Sequence, residues 1–151
     1  MGLFDRFRKP AQTCLDPTFG SLVRAHGSWG GSVRFPPTGG DVQVLLDVAP
    51  TDGHHTLFTE LIQRYSSLKP AIADALFTLW EPHLRELRRQ REWIVSTPGE
   101  IEKHTRLDCI ELGLPSSIVL GYGFTADVGW DDAMFSIKVI DWHVRPGSLD
   151  D

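Results

Sequence analysis

His54 and His55 stand side by side in a chain with six histidines and two cysteines. Imidazoles bind metals and move protons near neutral pH, so this pair is the first place to look for chemistry. Adjacent residues at a helix start point in different directions, so the two would not chelate one ion by themselves. A site would need an aspartate from elsewhere, and Asp131 or Asp132 could supply it. Such a set would make a small metal-dependent hydrolase, with the ion activating water. The chain holds no HExxH and no paired Cys/His ligand spacing. The simpler reading is a solvated helix N-terminus, with no cofactor.

The other reactive side chains form weaker sets. Asp141 and His143 sit two apart, on one face if the backbone is extended, and could share a proton there. Asp131-Asp132 suits a turn, a cation or a basic partner. Cys109 follows Asp108, but a strand would turn the two to opposite faces, which is poor geometry for a nucleophile and base. The chain carries no GxSxG, GxxxxGK[ST] or GxGxxG. Gly27–Gly31 is glycine-rich without the strand-to-helix context of a phosphate loop. His83, Arg85, Arg88, Arg89 and Arg91 form a basic cluster diluted by Glu86 and Glu92, the pattern of a solvated helix face. Trp29, Trp80, Trp93, Trp130 and Trp142 are many tryptophans for 151 residues. Each is a core side chain or, where exposed, an interface anchor.

Positioning these residues falls to one domain. Folding a chain of this length removes about 68–70% of the unfolded surface, enough for a core without a staple. The formal net charge is -5. Residues 107–151 carry eight acids against two bases. That balance argues against nonspecific nucleic-acid binding. Two cysteines without a secretory signal fit free thiols in a reducing cytoplasm. No apolar run approaches the roughly 20 residues of a membrane span, so stable insertion is not expected.

Met1–Lys9 reads as an amphipathic tip, with Leu3, Phe4 and Phe7 among charges, and Pro10–Pro17 as a linker, so residues 1–15 are tip and linker. Residues 16–145 read as the domain and 146–151 as a polar tail. Phe19–Ala25, Trp29–Phe35 and Val42–Val48 alternate as strands. Leu57, Phe58, Leu61, Ile62, Tyr65 and Leu68 line a helix face. After Pro70, which suits a first helical turn, Ile72, Ala75, Leu76, Leu79, Trp80, His83 and Leu87 line a second, kinked near Trp80 by Pro82. Residues 98–104 form a short helical turn. Leu107–Leu112 and Ile118–Phe124 are strands. In a last strand, Phe135, Ile137 and Val139 share one parity and Ile140, Trp142 and Val144 the other. That slip predicts a bulge near Val139–Ile140. The order β-β-β-α-α-β-β-β predicts an α+β fold, a mostly antiparallel sheet with a helical pair on one face.

Asp16-Pro17-x-Phe19-Gly20-x-Leu22, then Trp29-x-Gly31-x-Val33-x-Phe35 and Trp130-Asp131-Asp132-x-x-Phe135-x-Ile137, resembles a family of small uncharacterised bacterial domains. Some similar domains are taken to be immunity proteins of polymorphic toxin systems. The resemblance covers roughly residues 16–145 and brings no catalytic residues. It implies a non-enzymatic cytoplasmic protein-binding domain that neutralises a toxin by binding. Concentrated charge steers an opposite partner, so a basic toxin would meet Asp127, Asp131, Asp132 and Asp141, with Trp130 as an anchor.

Overall fold

Alternation of apolar and polar residues sets the eight strands of this protein. The structure is a computed structural model and describes residues 11–90, 97–125 and 132–150, without the side chains of 84–90. Its elements are β1 (Thr13–Asp16), β2 (Gly20–Ala25), β3 (Ser28–Phe35), β4 (Gly40–Leu46), α1 (Asp52–Gln90), α2 (Pro98–Lys103), β5 (Thr105–Gly113), β6 (Ser117–Phe124), β7 (Met134–Ile140) and β8 (His143–Asp150). The eight strands lie side by side in sequence order. All neighbours are antiparallel except β4 and β5, which the helical crossover makes parallel. The fold is thus mixed α and β with a mostly antiparallel sheet. Its order is four strands, two helices and four strands, where the sequence predicts three, two and three.

One extra strand comes from a segment read as a linker, and the other from a predicted last strand that splits in two and takes in the tail. Thr13–Asp16, within the predicted linker, pairs with β2. The predicted tail, residues 146–150, completes β8 against β7. The parity slip near Val139 is not a bulge. The chain reverses there through Asp141 and Trp142, whose φ values of 49° and 63° are both positive. Positive φ at both central residues is the twist-matched two-residue hairpin turn, and His26–Gly27 makes another between β2 and β3. Register shifts lie instead between Leu107 and Cys109 and between Ser136 and Ile137.

The predicted helical pair is one helix of 39 residues that runs through Pro70 and Pro82. The reason is phase. Buried Leu57, Leu61, Tyr65, Ile72, Leu76 and Trp80 keep one stripe across Pro70 without a slip. Both prolines lie on the exposed side, where water can bond the freed carbonyls. The second helical element is α2. Thr97 caps it with a reciprocal capping box to Glu100, and Ile101 is its buried anchor.

One face of the sheet meets α1. Leu22, Phe35, Val44, Ile110, Leu120 and Ile137, all buried, point inward. Eight strands laid flat would be roughly 34 Å wide. Yet Asp16 of β1 bonds His55, and the Arg64 guanidinium lies 4.6 Å from the ring centre of Trp142, in the turn beside β8. His55 and Arg64 are nine residues apart, about 14 Å along the axis. The sheet therefore curls around the helix, and its outer face carries Leu15, Val23, Leu45, Val119, Met134 and Ile140. No helix of the described residues is long and apolar enough to cross a membrane.

Candidate functional site

The two histidines sit in the first turn of α1, and each is committed to a different carboxylate. His54 is fully buried. The Thr51 N–H donates to its Nδ1 at 3.2 Å, so Nδ1 keeps a lone pair and Nε2 carries the proton. Nε2 donates that proton to Asp47 Oδ1 at 2.8 Å. The hydrogen bond from His54 is the main reason the Asp47 carboxyl sits below its ordinary range; partial burial works against it. His55 Nε2 lies 2.8 Å from Asp16 Oδ2. Asp16 also accepts the N–H groups of Thr18 and Phe19, at 2.8 and 2.9 Å, through Oδ1. Burial pushes the Asp16 carboxyl up. The Phe19 N–H, the His55 ring and the Thr18 N–H together outweigh it, and the carboxyl ends below its ordinary range. These pairs lock the β1–β2 turn and the β4–α1 loop onto the start of the helix. Among the described residues no three His, Cys, Asp or Glu side chains gather as a metal site requires.

The acidic candidates divide. Asp127, Trp130 and Asp131 lie outside the described residues. Asp132 is exposed just before β7, and Asp141 is exposed in the turn after it. Nine residues of extended chain separate the two by about 30 Å, so they do not form one patch. Asp141 and His143 do not share a strand face. Asp141 is in the turn and accepts the Ser116 hydroxyl, whereas His143 Nδ1 donates to the Asp141 carbonyl at 2.8 Å.

Of the remaining sequence candidates, Cys109 is half-buried on the outer face. Burial, helped by Glu111 and Asp108, pushes its thiol up to about 11. Trp80 is buried at 2% exposure, edge-on to Phe124 and Phe135. His83 stacks on it at 5.8 Å. The side chains of Arg85, Arg88 and Arg89, and Arg91 and Trp93 entirely, fall outside what the structure describes.

A different constellation emerges where the middle of α1, α2 and the β3–β4 turn meet. Here a cleft of about 290 Å³ opens between Tyr65, Lys69, Glu102, Thr105, Tyr122 and Thr38. The hydroxyls of Tyr65 and Tyr122 lie 2.7 Å apart in its buried wall. Burial raises both phenols, Tyr122 far more strongly, so both stay protonated at neutral pH. Lys69 Nζ meets Glu102 Oε1 at 2.7 Å beside them. That ion pair holds the ammonium above its ordinary range. Periodicity finds Tyr65 and Tyr122 as core positions and misses their role. The available signal is that the chain has only two tyrosines, each at a core position where phenylalanine would pack as well.

Comparison with known proteins returns no family model, no curated protein and no solved structure that matches this chain.

Proposed function

We propose that this protein is a non-enzymatic binding domain whose partner is another protein. The observation that supports the reading most is the open outer face of the sheet. Leu15, Val23, Met134 and Ile140 are 85%, 42%, 38% and 38% exposed, and all four point to that one side. Scattered exposed apolar residues are ordinary. Four on one side of one sheet, among serines, glycines and single charges, resemble the mixed surface of a non-obligate interface. The interior histidines and acids of the described residues are spent on one another, which fits a scaffold better than an active site.

The charge of the last third favours a basic partner. Together with the resemblance noted above, this makes a cytoplasmic immunity protein acting on a basic toxin the specific form of the proposal. Asp132 and Asp141 flank β7 and would steer approach from either end of the outer face, with Asp127, Trp130 and Asp131 as further contacts. The test is to place photo-reactive residues at Val23 and Ile140, identify the cross-linked protein, and measure its affinity in purified form. Leu15→Asp with Ile140→Asp should weaken binding at least about tenfold, the loss of one or two apolar anchors. An unchanged affinity would reject the outer face as the interface.

A further inference from the structure

The cleft beside the tyrosine pair holds hydrogen-bonding capacity that the protein does not use. Two phenols bonded to each other contain two protons, and their mutual bond consumes one. Whichever hydroxyl donates, the second proton has no acceptor among the described residues. Lys69 has three ammonium protons, and one bond to Glu102 accounts for one of them. Glu102 receives that bond on Oε1, which leaves its other oxygen as an acceptor. The hydroxyls of Thr38 and Thr105 donate to the carbonyls of Phe35 and Ile101 and are spoken for. What remains is a donor set and an acceptor on one opening, with Pro37, Ile72, Leu76 and Leu107 as apolar walls.

The charges narrow the ligand. Lys69 and Glu102 sum to zero and are already paired. An anion would have to displace Glu102 from the ammonium, and a cation would meet the ammonium itself. A neutral molecule needs neither exchange. We infer that this cleft binds a small, flat, neutral molecule with a carbonyl beside an N–H, as in an amide, lactam or pyrimidine edge. The carbonyl would accept from the phenol and the ammonium, the N–H would donate to Glu102, and the ring would lie against Leu76 and Leu107. At about 290 Å³ the space sits at the small end of ligand pockets, enough for one substituted ring. The inference is independent of the protein-binding proposal, because the cleft lies on the helix side of the sheet.

The test is an NMR titration of the isotope-labelled full chain with 2-pyridone, which has the carbonyl beside an N–H. The control probe is 2-methoxypyridine, in which the ring nitrogen carries no hydrogen and the oxygen is methylated. The expected result is saturable shifts at Thr38, Lys69, Thr105 and Tyr122 with 2-pyridone, and about tenfold weaker binding of the control, the effect of one mismatched hydrogen bond. Tyr65→Phe alone would leave Tyr122 with a free proton, so the informative variant is the double Tyr65→Phe, Tyr122→Phe. It should weaken 2-pyridone about tenfold. Glu102→Ala should weaken 2-pyridone and leave the control unchanged, since the control has no N–H to donate. The inference is overturned by an absence of saturable shifts up to the probe's solubility. Equal binding of the two probes, or unchanged binding to the double phenylalanine variant, would overturn it as well.

Discussion

Replacing Asp16 tests whether the start of the fold is held as described. In Asp16→Ala the Phe19 N–H loses its acceptor at a buried position. An unsatisfied buried donor costs about 1–3 kcal/mol. The Thr18 N–H is half-buried and can find water, so its loss adds only about 0.5–1 kcal/mol. His55 loses the carboxylate that orients its ring against Phe19 at 5.6 Å. The expected total is about 3 kcal/mol, or roughly 6–12 °C in melting temperature for a domain of this size. Asp16→Asn keeps an oxygen for the two N–H groups and should cost about 1 kcal/mol, the net value of one hydrogen bond. The pH dependence carries a second check. The folded carboxyl is held below its unfolded value of about 3.9. Its contribution is therefore fully present above that value and lost as pH falls through the lower, folded one. Asn does not titrate, so the stability gap between wild type and Asp16→Asn should be widest near neutral pH and narrow below about pH 4. Urea denaturation of the three proteins at several pH values measures all of this. A gap of constant size down to pH 2, or an Asp16→Ala loss below about 0.5 kcal/mol, would show that the carboxylate does not hold the turn.

Three further outcomes follow from the helix and the sheet. Trp80→Ala should cost about 3–5 kcal/mol in chemical denaturation, because the ring is buried against Phe124 and Phe135; a loss below about 1 kcal/mol would mean the site collapses or the ring is not core. Pro70→Ala should raise stability by about 1–2 kcal/mol, since it restores a helical N–H and removes the ring, less the unfolded-state entropy that proline takes away. A fall in stability would mean α1 is broken at that point. Cys109 should resist a thiol reagent at pH 8 in the folded protein and react once unfolded, because its thiol is pushed up to about 11.

Most of the strand content was legible because inward positions alternate strictly, as in Val42, Val44 and Leu46. The parity slip after Val139 was legible too, but its meaning was ambiguous. A two-residue hairpin pairs Val139 with Val144 and Ile140 with His143, so it flips parity just as a bulge does. Asn-Gly would have announced the turn, and Asp-Trp does not, because a bulky residue at positive φ is rare. Trp142 adopts it with its ring against Arg64, a contact across 78 residues that local pattern cannot contain. Pro70 misled for the opposite reason: its common place at a helix start outweighed the unbroken phase of Leu61, Tyr65 and Leu76. The Asp16-Pro17-x-Phe19-Gly20 and Trp29-x-Gly31 motifs turn out to be architectural. Asp16 braces the turn, Gly20 supplies φ of 72°, and a side chain at Gly31 would lie 2.6 Å from the Ser21 carbonyl. The tyrosine cleft was not legible, since it joins residues from α1, α2, β5, β6 and a turn.

Strand order that copies sequence order has a mechanical meaning. Among the described residues the first and last strands occupy opposite rims of the sheet, each bonded to a single neighbour. A pull along the chain from either end therefore loads one hairpin ladder at a time, and its hydrogen bonds break in series, like a zipper. Shearing a ladder in which every bond shares the force would take far more. The parallel β4–β5 junction, closed by α1, is the exception and should be the last clamp to yield. A machine that threads polypeptides would meet little resistance until it reached that junction. The rate at which the protein is dismantled under load should then follow the strength of the β4–β5 pairing rather than the overall folding free energy.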